Sequence, residues 1–296
     1  MTHAHACPCP ECVHGFAALG WLPITADGLR FSKAEASFPF EELEQRAIRA
    51  FGERVSRELK EEMRRLTRGL DPKTTLSDRQ MRDLLSKLSE AVPTIQAAVA
   101  AAATPYATMI AEAGAVAGLG QLPDGSYDFE ATEGRYSDDV ARAARRASQR
   151  MAQSVAQTTA DKIGRAIAAG VKENLTGREL AQLLTTDAGI GIDRATMIAR
   201  TESARAFTDG QIEAWKATGV VSGKRWLVSP YACAFCEEAG RLFGANAIGL
   251  HNNFFEQGAS LSVGGKSMAL DFDSTSGPPL HPNCRCTVTP TLTEAT

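Results

Sequence analysis

Apolar residues recur at steps of three and four from Phe40 to Leu66, the spacing of one face of a helix. Pro39 and the glutamates that follow it suit a first helical turn, where the helix dipole favours negative charge. Gly69 and Pro72 end the pattern. The sequence therefore predicts a helix here. Its apolar face consists of Phe40, Leu43, Ala47, Phe51, Val55, Leu59, Met63 and Leu66.

A second helix is predicted to begin at Ser77. The segment Ser77-Asp-Arg-Gln80 has the form of a capping box, in which the first and last side chains satisfy each other's backbone amides. Pro93 and Pro105 punctuate the alanine-rich run that follows, and residues 118–134 read as a loop. The buried stripe of this helix is predicted to be Met81, Leu84, Leu85, Leu88 and Val92.

A long third helical segment is predicted to start at a Ser137 cap, with Asp138 and Asp139 in its first turn. A second capping box, Thr176-Gly-Arg-Glu179, opens a short helix. The apolar stripe of the long segment consists of Val140, Ala144, Ala147, Met151, Val155, Ile163, Ile167 and Val171.

The pattern changes after the last predicted helix, which Asp193 caps and which runs to about Thr218. Strands are predicted over 224–228 and 285–289. These elements predict an α+β, mostly α fold, with an elongated helical N-terminal portion followed by a small α+β C-terminal domain. The predicted domains are a Cys/His-rich segment at 1–34, a helical region at 35–135 and a C-terminal domain at 136–292.

Composition narrows the function classes. The net charge of −3 over 296 residues predicts no gross affinity for nucleic acid or acidic membranes. The most apolar stretch, 95–119, is largely alanine and contains Pro105 and Glu112, so no membrane anchor is expected. The N-terminus has neither the basic nor the apolar region of a secretory signal.

Two cysteine clusters in the last third indicate a metal site. Cys233-Ala-Phe-Cys236 is followed, after 44 intervening residues, by His281-Pro-Asn-Cys284-Arg-Cys286. Each cluster is short enough to form a turn that presents two ligands to one ion, as in structural zinc sites. Five donors are available for the four coordination positions of one ion. Cys233, Cys236 and Cys286 are the favoured ligands, and either His281 or Cys284 is the fourth. A disulfide-linked turn and unliganded buried cysteines are the alternatives.

A second cluster lies near the N-terminus. Cys7, Cys9, Cys12 and His14 fall within eight positions. This spacing fits two interpretations equally well: a small zinc knuckle, or a tail with incidental cysteines. A knuckle is not favoured further, because no second half of a zinc ribbon follows.

A cationic stripe lies on the third helical segment. Arg142, Arg145, Arg146 and Arg150 share one side of a helix, as a solvated face or as a contact with DNA phosphates or an acidic partner. The metal region itself has too few cations for a sequence-specific DNA reader. No His-Glu-x-x-His, phosphate-binding loop or nucleophile elbow occurs, so no catalytic residue is predicted.

The order of motifs resembles a known family. Ala199-Arg200-Thr201-Glu202 lies on a predicted helix, followed by Trp226, the Cys233–Cys236 turn, Arg241-Leu-Phe and the Pro278–Cys286 segment. This order resembles the phage Mu F-like head morphogenesis family, which is related in pattern to the SPP1-type minor capsid protein. The resemblance covers about 140–290. Glu202 can pair with Arg205 one turn later, which suits a structural role for the Arg200-Thr201-Glu202 segment.

The resemblance implies a minor head protein of a tailed bacteriophage. Such a protein would bind the portal, the major capsid protein or both, and act in head assembly and genome packaging or delivery. Packaged DNA is a further candidate partner, through the arginine stripe. The protein would be found in the virion, at the capsid interior or portal vertex, and in the host cytoplasm during assembly. The alternative is a virion-delivered nuclease- or transferase-like effector that uses Arg200, Glu202 and His281.

Overall fold

The computed structural model describes residues 22–24, 29–31, 40–186, 192–230, 232–271 and 273–293. They fall into two compact units. Unit 1 contains the described parts of Met1–Glu44, Ala107–Ala147 and Arg200–Thr296. Unit 2 contains Gln45–Tyr106 and the described part of Ser148–Ala199. Most of the described chain is helical and the C-terminal region carries a small sheet, so the predicted mostly α, α+β class is confirmed.

The described residues form six helices and seven strands. The helices are α1 (Phe40–Thr67), α2 (Asp78–Gly120), α3 (Phe129–Lys172), α4 (Gly177–Thr186), α5 (Ile192–Thr218) and α6 (Ala234–Phe243). The strands are β1 (Leu22–Ile24), β2 (Leu29–Phe31), β3 (Val221–Leu227), β4 (Ile248–Gly249), β5 (Ala259–Val263), β6 (Lys266–Leu270) and β7 (Thr287–Leu292).

The core of unit 2 follows the predicted helical stripes. From α1, Phe51, Val55 and Leu59 pack in one apolar cluster with residues of α2 and α3. Met63 and Leu66 belong to a second cluster. The rest of that second cluster comprises Leu76, Leu84, Leu88, Ile163, Ile167, Leu180 and Leu184. The predicted face of α1 therefore contains its described buried side chains except Ile48, which is also buried and belongs to the first cluster.

Both predicted capping boxes are confirmed. At the start of α2, the Ser77 amide donates to Gln80 Oε1 at 3.0 Å, and the Gln80 amide donates to Ser77 Oγ at 3.3 Å. At the start of α4, the Thr176 and Glu179 pair makes the same two bonds at 2.8 and 3.3 Å. Each box satisfies amides that have no partner inside the helix.

The two prolines do not end α2. Pro93 and Pro105 both lie inside one helix that runs from Asp78 to Gly120. A proline in a helix interior costs about 3 kcal/mol. Burial offsets that cost here, because Ile95, Val99 and their neighbouring alanines are almost fully enclosed in the core of unit 2.

The predicted loop over 118–134 and the cap at Ser137 are wrong. The connection is only 121–128, and α3 begins at Phe129. Asp128 supplies the cap, because its Oδ1 accepts a hydrogen bond from the Ala131 amide at 3.0 Å. The predicted division of domains between 135 and 136 consequently falls inside α3.

Unit 1 contains an unusually close helix pair. A Cβ atom built at Gly210 on α5 would lie 2.0 Å from the carbonyl oxygen of Ala111 on α2. One built at Gly114 on α2 would lie 2.0 Å from the carbonyl oxygen of Phe207. The Trp215 indole N–H donates to the Gly118 carbonyl at 2.8 Å. Glycine lets the two backbones touch, and this fixes the end of α5 from which β3 continues.

The C-terminal region is built on an antiparallel sheet in the order β4-β3-β7. The segment from 244 to 277 contributes β4 and a separate β5–β6 hairpin. Gly264 and Gly265 form the hairpin turn with φ of 57° and 76°, which glycine adopts without strain. Beside the sheet, Trp226, Phe243, Phe254 and Phe255 pack edge to face.

Glu112 on α2 should make stability depend on pH. Burial raises the pKa of Glu112 to about 7, and its Oε2 has no hydrogen-bond partner among the described residues. The native state therefore keeps a proton that the unfolded state loses near pH 4.5, so stability falls as pH rises from about 4.5 to about 7. Glu112→Gln should raise the free energy of unfolding at pH 8 by about 1–2 kcal/mol, a value reduced for partial solvent screening.

Urea unfolding at pH 4.5 and pH 8 checks this expectation. The gain from Glu112→Gln should shrink at the lower pH, where the native wild-type carboxyl is itself protonated. Glu90→Gln, at an exposed position of the same helix, is the matched control. An equal gain at both pH values would contradict the assignment to Glu112.

Candidate metal centre

The first ligand pair lies at the N-terminus of α6. Cys233 is the N-cap residue, with extended backbone angles (φ −77°, ψ 163°) and no side-chain capping hydrogen bond. Cys236 lies in the first turn, and the Glu237 amide donates to the Cys233 carbonyl at 3.0 Å to close that turn. Cys233 is exposed, whereas Cys236 is only 2% exposed. Both sulfurs are therefore carried by one end of a short helix.

The second ligand pair lies on a tight turn. The Cys284 amide donates to the His281 carbonyl at 3.1 Å. Asn283 between them has a φ of 62°, in the left-handed region that asparagine tolerates better than most residues. This hydrogen bond confirms the predicted turn over His281–Cys284.

The two pairs converge. His281 Nε2 lies 3.1 Å from Cys233 Sγ and 3.1 Å from Cys236 Sγ. Cys236 Sγ lies 3.5 Å from Cys284 Sγ. A tetrahedral zinc ion with bonds of about 2.3 Å to sulfur separates its sulfur ligands by about 3.8 Å. The cluster is thus close to the dimensions that a single ion requires.

The fifth predicted donor belongs to the same cluster. Cys236, Cys284 and Cys286 lie within 4.8 Å of one another, and so do the ligand atoms of Cys233, Cys236 and His281. Cys236 is common to both groups. The structure therefore brings together all five side chains that the sequence singles out, and the cluster can hold a metal ion.

A hydrogen bond orients the imidazole of His281. Its Nδ1 lies 2.8 Å from the backbone carbonyl of Pro282. A carbonyl only accepts, so Nδ1 carries the proton and donates it. The lone pair then belongs to Nε2, the nitrogen that faces the two sulfurs. Metal-binding histidines are oriented in this way by a second hydrogen bond.

Charge within the cluster also suits a cation. Hydrogen bonds from the thiols of Cys236 and Cys284, together with the Ser229 amide, lower the pKa of Cys286. The pKa of Cys236 is raised, because its thiol donates to Cys284 and Cys286 and is buried. A buried group of thiols that share negative charge is an environment in which a soft divalent cation is favoured.

The sheet explains why distant residues meet. Leu227 at the end of β3 pairs with Thr287 at the start of β7. Cys286 directly precedes β7, and the turn that leads to Cys233 follows β3. The pairing therefore places both metal-binding segments at the same end of the β3–β7 ladder.

Lys224 is a residue whose position sequence analysis does not predict. Sequence analysis contains it only as the first residue of the strand predicted over 224–228, but it is 1% exposed. Its Nζ donates to the Leu250 carbonyl at 3.0 Å and lies 5.6 Å from the centre of the Phe254 ring. Burial lowers its pKa to about 8. Its alternation within β3 is the only sequence signal for an inward position.

The Arg200-Thr201-Glu202 segment lies on α5 in unit 1. Glu202 is 8% exposed, and its Oε1 lies 3.6 Å from Arg205 Nη1, as predicted. The effector alternative requires His281 as a base. Because His281 Nε2 faces Cys233 and Cys236, that nitrogen is poorly placed for proton transfer to a substrate.

The arginine stripe lies on α3. Arg142, Arg145 and Arg146 are exposed, and Arg150 is half-buried. Arg142 forms an ion pair with Asp139, and Arg146 Nη2 lies 4.0 Å from Glu213 Oε1. These acidic partners reduce the positive charge available to an external ligand. The predicted second metal cluster of Cys7, Cys9, Cys12 and His14 lies outside the described residues.

Comparisons with protein-family models, curated proteins and solved structures gave no match to this chain. Among the described helices, none combines the length and the hydropathy needed to cross a membrane.

Proposed function

We propose that the cluster is a structural zinc centre. Cysteine thiolates and a histidine nitrogen are the donors that zinc prefers in structural sites, and such sites are closed by four protein ligands. Five such donors are available here, so no coordination position has to be left to water or substrate. A site without an open position does not perform hydrolysis.

The zinc ion would act as a crosslink within the C-terminal region. It would join the start of α6 to the turn before β7, across the 48 positions that separate Cys233 and His281. The segment between them contains the β5–β6 hairpin, and an isolated two-stranded hairpin is only marginally stable. Crosslinking the ends of this segment reduces the conformational entropy that folding must overcome.

We further propose that the chain is a minor head protein of a tailed bacteriophage. The observation that carries this proposal is the convergence of the Cys233–Cys236 and His281–Cys286 segments, which are the most specific part of the resemblance to the Mu F-like family. The position of Arg200-Thr201-Glu202 on the helix that leads into β3 agrees with the order of that pattern. The portal and the major capsid protein are the proposed partners, and the virion is the proposed location.

Mass spectrometry of purified virions tests this role. Particles produced from the genome that encodes the chain should contain it in low copy number. Cys236→Ser should lower its amount per particle, because the C-terminal region would lose its zinc crosslink. Ser262→Ala, on the exposed face of the hairpin, is the control and should be incorporated normally. Absence of the wild-type chain from intact particles would refute the proposal.

The same particles test the arginine stripe. If Arg142, Arg145 and Arg146 contact packaged DNA or an acidic portal surface, reversing their charge to glutamate should lower incorporation or infectivity. Unchanged incorporation and unchanged DNA ejection would show that these arginines serve only as a solvated face.

A further inference from the structure

The five donors form two groups of three that share Cys236, and a tetrahedral zinc ion takes only four ligands. Three of them form a continuous set, because Cys236 Sγ is in direct contact with both His281 Nε2 and Cys284 Sγ. The other two thiols belong to different groups. Cys233 lies with Cys236 and His281, and Cys286 lies with Cys236 and Cys284. Each of these two thiols is therefore a candidate fourth ligand beside Cys236, His281 and Cys284.

We propose that Cys233 and Cys286 share the fourth coordination position, with Cys233 as an exchangeable ligand and Cys286 as its reserve. Cys236, His281 and Cys284 hold the ion in both states. This inference rests on the zinc centre proposed above and specifies how that centre keeps its ion when one ligand is displaced.

The two thiols differ in the way this division requires. Cys233 is exposed and makes no side-chain capping hydrogen bond at the start of α6, and its sulfur lies 3.1 Å from His281 Nε2. Solvent and external reagents can reach its sulfur. Cys286 is 8% exposed and is fixed by the β3–β7 pairing that begins at the next residue. A buried thiol held within 4.8 Å of Cys236 and Cys284 can bind the ion after a small movement.

Single and double substitutions distinguish a reserve ligand from a fixed one. Cys233→Ser and Cys286→Ser should each keep one zinc ion per chain, with affinity lowered by about 10- to 100-fold. The double variant should bind zinc at least about a thousandfold more weakly than either single variant. The effects of the two substitutions are not additive, because each thiol replaces the other when only one is removed. Cys236→Ser should release the ion as a single substitution, since both donor groups contain Cys236. Competition with a chromophoric chelator measures each affinity.

Either of two results would overturn the proposal. If Cys233→Ser releases the ion as completely as Cys236→Ser, then Cys286 does not replace Cys233. If the double variant still binds like the single variants, neither thiol is a ligand. The zinc content of the wild-type chain is measured first. A wild-type chain without zinc refutes the zinc centre itself, which is a different failure from that of the reserve ligand.

Alkylation gives a second test, and its main arm uses the wild-type protein. Iodoacetamide forms a sulfur–carbon bond with an accessible cysteine and releases iodide. In the zinc-loaded full chain it should modify Cys233 while the ion stays bound, and in Cys286→Ser the same modification should release the ion. Peptide mapping separates Cys233 from Cys7, Cys9 and Cys12. Release of zinc in step with modification of wild-type Cys233, or protection of Cys233, would contradict the exchange.

Discussion

Cys236→Ser should release zinc from the chain and unfold the sheet region from Val221 to Leu292. Cys236 is in direct contact with His281 and Cys284 and belongs to both donor groups, so no other thiol can replace it. Structural zinc contributes on the order of 10 kcal/mol in small peptides, and that binding energy becomes folding energy. This binding energy is comparable to the whole free energy of unfolding of an ordinary domain, which is about 5–15 kcal/mol.

Elemental mass spectrometry and near-ultraviolet circular dichroism check this expectation together. Trp226 is 2% exposed and packs edge to face on Phe254 close to the metal-binding segments, so its signal reports on the packing of this region. The far-ultraviolet helical signal should change much less, because the apolar clusters of unit 2 contain none of the metal ligands.

Chelation provides the matched control for this substitution. Removing zinc from the wild-type chain should reproduce the change seen in Cys236→Ser, and adding zinc back should reverse it only in the wild type. A variant that keeps both its zinc and its Trp226 signal would rule out Cys236 as a ligand. If removing zinc leaves the circular dichroism of the wild-type chain unchanged, zinc binds but has no structural role.

Local sequence signals predict the elements that depend on neighbouring residues. The capping boxes at Ser77 and Thr176 form as predicted because each requires only four consecutive residues. The buried face of α1 is likewise contained in its own periodicity. The short ligand turns at Cys233–Cys236 and His281–Cys284 belong to the same class, since their geometry is set within the turn.

Features that depend on distant residues are the ones that sequence analysis misses. Pro93 and Pro105 are local helix breakers, but the core of unit 2 outweighs their effect. The cap of α3 is an exception, because Asp128 makes a local hydrogen bond to the Ala131 amide but lies in a segment that reads as a loop. The clustering of metal donors is visible in the sequence, whereas the central position of Cys236 depends on how the β3–β7 pairing aligns two segments that are far apart in the chain.

The close contact between α2 and α5 is a further consequence of distant residues, and it predicts a large effect. Gly210→Ala should destabilise unit 1 by about 3 kcal/mol, at the upper end of the cost of overpacking. The added methyl group would lie 2.0 Å from the Ala111 carbonyl oxygen, which is backbone and can move only if the helices separate. Separation would also weaken the hydrogen bond from Trp215 to the Gly118 carbonyl.

Urea unfolding of Gly210→Ala, with Gly52→Ala as control, measures this effect. Gly52 lies inside α1, and a Cβ there meets nothing within 4 Å, so its replacement should stabilise the chain by about 0.5–1 kcal/mol through helix propensity alone. Opposite signs at two helical glycines would show that backbone contact, rather than propensity, governs position 210. Gly114→Ala should behave like Gly210→Ala, since its Cβ would meet the Phe207 carbonyl equally closely. Combining the two should cost less than their sum, because the first alanine already separates the helices that the second would push apart.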